Sequence, residues 1–285
     1  MKGLPLHQGL LLRLIFTVNH LILHSRASEQ SGCVRGLIGI VCDSGVQKAM
    51  NSEEPVTNRA EPLLSSWEKR LASGEIDEVN WYRGIAAEIT PAYLSGNNPR
   101  TQSGFNGDED QWIEARGLIA DAIDRSGTFL DLGCANGYLM ECLERWTAQK
   151  GYRLEPYGLD ISPELIGLAR QRLPQWASRL FIGNAIDWEP TTRFDFVRTS
   201  LEYVPLSRQS DLVRRLLERA VAPTGKLIVG TCNEKKIRGK PHEASTALLL
   251  RSEGWNIAGS SERPHWLDER LVYRVFWIEA RNGRS

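Results

Sequence analysis

A glycine-rich loop and a downstream aspartate are the residues of this sequence that most directly suggest a chemistry. The loop, residues 133–137 (GCANG), follows the apolar run at 128–132, and its small residues let a ligand approach the backbone closely. The helix predicted after the loop offers free N–H groups at its start. Asp160 follows a second apolar run, where a carboxylate can accept two hydrogen bonds from a ribose diol. Together these features predict a nucleoside-containing ligand at the carboxyl ends of neighbouring parallel strands.

The residues around the loop distinguish between two ligands of this kind. A dinucleotide site needs a third glycine where this chain has Tyr138, and Asp131 would place a negative charge beside the diphosphate. That charge suits a ligand with an ammonium group and no phosphate, and S-adenosylmethionine is such a ligand. The spacing therefore favours S-adenosylmethionine, with an NAD(P)-dependent oxidoreductase as an alternative.

Five segments in register resemble the motifs of class I S-adenosylmethionine-dependent methyltransferases of the small-molecule type. They cover about residues 112–280 in the family's order and spacing. The segments are FLDLGCANGY at 129–138, YGLDIS at 157–162, FIGNAID at 181–187, FDFV at 194–197 and APTGKLIV at 222–229.

The resemblance implies a set of cofactor-binding residues. Asp131 would lie near the methionine ammonium, the loop would line the methionine part, and Asp160 would hold the ribose. Asn184 stands where the family more often has an acid, but its amide oxygen can still accept a hydrogen bond from the adenine amine. The implied residues are Asp131, Gly133, Cys134, Ala135, Gly137, Asp160, Ile161 against the adenine ring, and Asn184 and Ala185 at its edge.

The catalytic candidates follow the fourth strand. Methyl transfer needs a general base only if the acceptor atom is protonated, and Glu202 and Tyr203 are the candidates that could face an acceptor. The segment lacks the Asn-Pro-Pro-Tyr and Pro-Cys sequences of many enzymes that methylate bases. With a net charge of zero, this argues against a nucleic-acid substrate.

We therefore expect an enzyme of the EC 2.1.1 class that methylates an oxygen, nitrogen or carbon atom of a small molecule. Two further alternatives stay open, a non-catalytic cofactor-binding scaffold and an RNA methyltransferase. The basic run at 235–240 could bind RNA, although a solvated loop is the simpler interpretation. His242 and His265 have no partner at metal-ligand spacing, so no metal is expected.

Alternating strand and helix patterns must position these residues. They predict an α/β fold, Rossmann-like and doubly wound, with a mostly parallel seven-stranded sheet and an N-terminal helical cap. Strands are predicted at 128–132, 157–159, 180–182, 194–197, 226–229, 255–258 and 272–278. Helices are predicted at 63–71, 76–89, 112–123, 139–146, 163–172, 209–221 and 244–252.

The domain organisation is predicted as an extension at 1–49, a helical cap or lid at 50–107 and a cofactor-binding domain at 108–285. Residues 81–83 and 103–105 are the candidate lid residues. The apolar stretch at 9–23 is too short and too polar to span a membrane. Met50 stands where the composition becomes ordinary, so translation could start there. The five cysteines include no C-x-x-C pair, which fits a reduced, cytoplasmic setting, and the oligomeric state stays open.

Overall fold

The structure, a computed structural model, describes residues 56–237, 240–241, 245–265 and 271–280. The predicted extension at 1–49, residues 238–239 of the basic run, and His242 lie outside the described residues. The strands are β1 (Gly127–Leu132), β2 (Leu154–Asp160), β3 (Leu180–Ile182), β4 (Phe194–Ser200), β5 (Val221–Ile237), β6 (Lys240–Pro241), β7 (Gly259–Pro264) and β8 (Leu271–Glu279). The helices are α1 (Val56–Ala72), α2 (Glu78–Leu94), α3 (Glu109–Arg116), α4 (Tyr138–Ala148), α5 (Pro163–Arg172), α6 (Gln209–Arg215) and α7 (Ser245–Ser252).

The sheet has the predicted doubly wound arrangement. Seven strands follow the order β3-β2-β1-β4-β5-β8-β7, and the short β6 pairs with the far end of β5. Strands β1 to β5 are parallel, whereas β8 runs antiparallel to both β5 and β7. Strand order reverses between β1 and β4, so a crevice opens at their carboxyl ends, where ligands bind in folds of this kind.

Alternate side chains of the central strands enter two separate cores. In β1, Leu130 and Leu132 pack into one core, while Phe129 packs into the other together with Phe196 of β4 and Ile228 of β5. All five side chains are completely buried. Because each such side chain contributes roughly 1.5–3 kcal/mol on burial, the two cores hold the strand ends firmly in place.

The predicted strand at 255–258 is wrong. These residues form an irregular connection after α7, and the strand begins only at Gly259. Gly254 adopts a left-handed φ of +80°, and the backbone N–H of Trp255 donates to Leu250 O at 3.0 Å. This is a helix C-terminal cap, after which Trp255 enters the core as an anchor.

Two predicted helices also end earlier than expected. The pattern at 112–123 divides into α3 and a 3₁₀ helix at Gly117–Ala122, and the pattern at 209–221 divides into α6 and a π-helical turn at Leu216–Ala220. Val221 then belongs to β5. The apolar spacing is the same in all these forms, so it could not separate them.

The N-terminal cap is formed by α1 and α2. The indole ring of Trp67 lies against Gly84, where a Cβ atom would come within 2.0 Å of the ring, and Trp67 Nε1 donates to Glu88 Oε1 at 3.0 Å. Helix α2 also contacts α5, so the cap lies over the carboxyl ends of the strands. Among the described residues, none of the helices combines the length and apolar character that crossing a bilayer requires.

Candidate cofactor and active site

The loop after β1 has a backbone conformation that explains its small residues. Gly133 and Gly137 have φ values of +71° and +78°, and Ala135 has +47°, all in the left-handed region. A non-glycine residue with positive φ needs support, and here the backbone N–H of Ala135 donates to Asp160 Oδ2 at 2.8 Å. The loop is thus fixed by a side chain from the neighbouring strand.

Asp160 ends β2 and is nearly fully buried. Its Oδ1 atom accepts a hydrogen bond from the backbone N–H of Ser162 at 2.9 Å, and its Oδ2 atom accepts from Ala135. Burial raises the pKa of the carboxyl group, and these N–H donors oppose the rise. Each carboxylate oxygen has a second lone pair, so the group can still accept hydrogen bonds from two hydroxyls.

Asp131 lies one strand away and is more deeply buried. Its Oδ1 atom accepts from Arg198 Nη1 at 3.2 Å, whereas its Oδ2 atom is buried and has no hydrogen-bond partner among the described residues. Burial raises the pKa of this carboxyl group to about 6, although the adjacent Arg198 guanidinium opposes the rise. An orphaned carboxylate oxygen at a cavity wall fits the ammonium group of a ligand.

A single cavity of about 380 Å³ brings the predicted site residues together. Its lining includes both catalytic candidates and every predicted cofactor residue except Gly137. Gly137 instead precedes α4, and a Cβ atom there would come within 2.5 Å of Leu173 Cδ1. Its role is therefore to allow the turn and the close packing of α5. Ile161, by contrast, exposes 38% of its surface at the cavity.

The adenine-edge candidate Asn184 already makes hydrogen bonds. Its Oδ1 atom accepts from the backbone N–H of Ile186 at 3.2 Å, and its side chain interacts with the Tyr82 hydroxyl. One lone pair of Oδ1 remains for a ligand donor. Ala185 lines the cavity beside it.

The two catalytic candidates differ in their surroundings. Glu202 is exposed at the cavity. Tyr203 lies across the loop, where a Cβ atom on Gly133 would come within 2.6 Å of two ring carbons, and its hydroxyl oxygen accepts from Arg198 Nη1 at 2.9 Å. Burial raises the pKa of Tyr203, so the hydroxyl stays protonated at neutral pH.

Of the candidate lid residues, four line the cavity and two do not. Trp81, Tyr82, Ser103 and Gly104 line it, whereas Arg83 is exposed and Phe105 is buried in the core.

His265 is buried against the ring of Tyr273, at 4.8 Å between ring centroids. No group of metal-ligating side chains occurs within the described part of the chain.

Two arginines at the cavity were missed by the sequence analysis. Arg198 is a charged residue near the end of the apolar strand β4, which was a readable signal. Arg116 lies 5.5 Å from the ring centroids of both Phe105 and Trp112, and it favours ionised Asp131. No sequence pattern marked Arg116, because its direction depends on how α3 packs.

Comparison with known proteins identifies the class. The model of a family described as "Methyltransferase domain" matches residues 123–269, just over half of the chain. The chain belongs to this family, within the class I S-adenosylmethionine-dependent methyltransferases, and its cofactor is S-adenosylmethionine. The buried Asp131 and Asp160 carboxylates at the cavity wall, with the unpartnered Oδ2 atom of Asp131, fit that cofactor. No curated protein matches the chain.

One solved structure has the same fold. The 1,6-didemethyltoxoflavin-N1-methyltransferase of Burkholderia thailandensis, solved with 1,6-didemethyltoxoflavin and S-adenosylhomocysteine, is 16% identical with a TM-score of 0.53 over 74% of this chain and 92% of that one. The N-methyltransferase NodS of Bradyrhizobium japonicum WM9 is 18% identical with a TM-score of 0.46 over 62% and 99%. The [4+2]-cyclase SpnF is 17% identical with a TM-score of 0.44 over 60% and 80%.

Proposed function

We propose that this protein transfers a methyl group from S-adenosylmethionine to an oxygen, nitrogen or carbon atom of a small-molecule acceptor, as an enzyme of the EC 2.1.1 class. The observation that carries the proposal is the one cavity lined by Asp131, Asp160 and the loop on one side and by α2 on the other. Such a cavity can hold a cofactor and an acceptor against each other and exclude water.

Each part of the cofactor has a candidate partner in the cavity. Asp131 Oδ2 would accept from the methionine ammonium, and Arg116 would pair with the methionine carboxylate. Asp160 would accept from the ribose hydroxyls, while Ile161 and Ala185 would pack against the adenine ring. The bound cofactor supplies a methyl group that its sulfonium already activates.

The acceptor side is formed by the cap. Ile85, Ala86 and Ile89 of α2 fall three and four residues apart and line the cavity with apolar surface, as does Leu64 of α1. An apolar wall of this kind suits the body of a small organic molecule. It offers little to a phosphate backbone, which would require cationic side chains.

The state of the two catalytic candidates suggests different roles. Tyr203 is held protonated, so it can donate a hydrogen bond but is a poor proton acceptor. Glu202 is exposed at the cavity, and a carboxylate can take a proton from a protonated amine or assist a hydroxyl. We therefore assign the general base, where the acceptor needs one, to Glu202.

Calorimetric titration with S-adenosylhomocysteine, NAD and NADP tests the cofactor assignment. We expect only S-adenosylhomocysteine to bind. Asp160→Asn should weaken it about tenfold or more, because hydrogen bonds to a charged group contribute roughly 1.5–3 kcal/mol each. The matched control is Asp195→Asn, since Asp195 Oδ2 also accepts from a backbone N–H, that of Thr128 at 3.0 Å, but does not line the cavity.

The outcomes separate the alternatives. Binding of NAD or NADP instead of S-adenosylhomocysteine would overturn the proposal. Methyl transfer is then measured with isotope-labelled S-adenosylmethionine and a panel of apolar amines, phenols and carboxylic acids. Labelled product supports the enzyme. Cofactor binding without any turnover, together with a stable protein partner, would favour the non-catalytic scaffold, and labelling of RNA would favour the RNA methyltransferase.

A further inference from the structure

Arg198 contacts three different parts of the site through one guanidinium group. It lies in β4 directly opposite Asp131 of β1 and is 6% exposed. Its Nη1 atom donates to Asp131 Oδ1 at 3.2 Å and to the Tyr203 hydroxyl oxygen at 2.9 Å, and it lies 3.5 Å from the carbonyl oxygen of Leu132. Arg198 therefore joins the end of β1 to the turn that follows β4.

The contact with Asp131 compensates a buried negative charge. A buried carboxylate costs free energy unless a cation or hydrogen bonds stabilise it, and Asp131 Oδ2 has no such bond among the described residues. A ligand ammonium group requires this carboxylate in its ionised form. Burial raises its pKa to about 6, and the charge of Arg198 keeps the value from rising further.

The contact with Tyr203 fixes the direction of a hydroxyl group. A guanidinium group has donors only, so the Tyr203 oxygen must be the acceptor in this bond. The hydroxyl proton is then available to an acceptor in the cavity, which Tyr203 lines. The same bond holds the Tyr203 ring over Gly133, at the base of the cofactor loop.

We infer that Arg198 is a positioning residue, which keeps Asp131 ionised for the ammonium group of the cofactor and holds Tyr203 over Gly133 as a hydrogen-bond donor. The inference rests on the proposed function, because it requires the cofactor in this cavity. One side chain thus acts on both the cofactor pocket, through Asp131, and the turn after β4, through Tyr203. The charge of the pocket and the position of Tyr203 are therefore coupled.

Several other groups act on Asp131. Asp160 from β2 opposes its ionisation, and Arg116 from α3 favours it. The Cys134 thiol and the Tyr203 hydroxyl also face it, and burial raises the pKa of each, so both are neutral near pH 7. Without Arg198, only the favourable effect of Arg116 would stand against Asp160 and burial.

The pH dependence of S-adenosylhomocysteine affinity tests the first half of the inference. Calorimetry on the full chain from about pH 5.5 to about pH 8 compares the wild type with Arg198→Met and Arg198→Lys. An adjacent arginine lowers a carboxyl pKa by about one to three units, so Arg198→Met should weaken binding about tenfold or more at pH 7 and recover part of the loss at pH 8. Arg198→Lys retains the charge, so the pH at which affinity is half its maximum, the midpoint of the pH profile, should stay at the wild-type value.

A purely structural role predicts something different, namely the same loss of affinity at every pH. That result, or an unchanged midpoint in Arg198→Met, would show the inference to be wrong while the proposed function stands. Absence of binding by the folded wild type would instead remove the proposed function. Arg214→Met is the control, since Arg214 forms an exposed ion pair with Asp211 on α6. Circular dichroism checks folding, and Arg198→Gln replaces Arg198→Met if the latter does not fold.

A double-mutant cycle in thermal unfolding tests the second half of the inference, that Arg198 holds Tyr203 in place. If Arg198 holds the Tyr203 hydroxyl, Tyr203→Phe should lower the Tm of the wild type but have little further effect in Arg198→Met, which has no donor for that hydroxyl. Such non-additivity is typical of residues in direct contact. Additive changes in Tm would contradict the link between the two side chains.

Discussion

Gly133 shows how a single residue can serve both the backbone and the site. Its φ of +71° lies in the left-handed region, and a Cβ atom would come within 2.6 Å of the Tyr203 ring. The loop therefore needs glycine here for two independent reasons, one conformational and one steric. Because Arg198 Nη1 donates to the Tyr203 hydroxyl, displacement of the ring would disturb that hydrogen bond.

Gly133→Ala should accordingly lower the free energy of unfolding by more than the conformational cost of placing an alanine in the left-handed region. The conformational cost is about 1–2 kcal/mol, and displacement of Tyr203 adds to it. We expect a lower Tm and weaker S-adenosylhomocysteine binding, measured by thermal unfolding and calorimetry. Gly151→Ala is the matched control, since Gly151 has a φ of +84° but nothing within 4 Å of a Cβ atom. Equal Tm losses in the two variants would contradict the steric part.

The structure brings to the cavity the candidate residues that the sequence placed at or just after strand ends, such as Gly133, Asp160 and Glu202. They could be placed because a strand end fixes their position, whatever the rest of the chain does. Arg116 and Arg198 could not be assigned in this way. The contact of Arg198 with Asp131 depends on the register of two strands more than sixty residues apart, and that of Arg116 depends on how α3 packs.

Elements were predicted well where one core face gives a clear pattern, as in β1 and α5. The prediction failed at 255–258, where a short apolar run fits a strand and a helix cap equally well. Tertiary packing determines the local structure here, because Trp255 fills a core position. Gly137 is a similar case, since its glycine is needed for packing against Leu173 and not for contact with the cavity.

Helix α5 allows capping to be separated from cofactor binding. Ser162 is its N-cap, and the Ser162 side chain accepts from the backbone N–H of Leu165 at 3.2 Å. Ser162→Ala should lower the free energy of unfolding by about 1 kcal/mol, as measured in urea. The bond to Asp160 uses the Ser162 backbone N–H, which the substitution keeps, so cofactor affinity should change by no more than about threefold.

Asp108→Ala gives the comparison, because Asp108 caps α3 through a capping box with Gln111 and does not line the cavity. Both variants should lose similar stability. A large loss of cofactor affinity in Ser162→Ala alone would mean that its hydroxyl contacts the cofactor directly.

At the scale of the whole molecule, the residues that line the cavity and the strands that complete the sheet lie in different parts of the chain. Every described residue that lines the cavity falls between Leu63 and Tyr203, whereas β5, β7 and β8 complete the sheet beyond the site. The described residues after Tyr203 therefore support the site without lining this cavity.

A chain that begins at Met50 should bind S-adenosylhomocysteine with the affinity of the full chain, within about twofold, because it keeps all of these lining residues. Calorimetry on both forms measures this, and the intact mass of the native protein shows where translation starts. Weaker binding by the shorter chain would show that residues 1–49 contribute to the site.

The two backbone hydrogen bonds of Asp160 have a kinetic consequence. They tie the loop after β1 to the turn before α5 through the chain's own groups, so the entropy of ordering both segments is lost during folding. Cofactor association then has little backbone left to order, and more of the contact energy is retained as affinity. The cofactor should meet a rigid receptor on this side, with its association rate governed by access past α2.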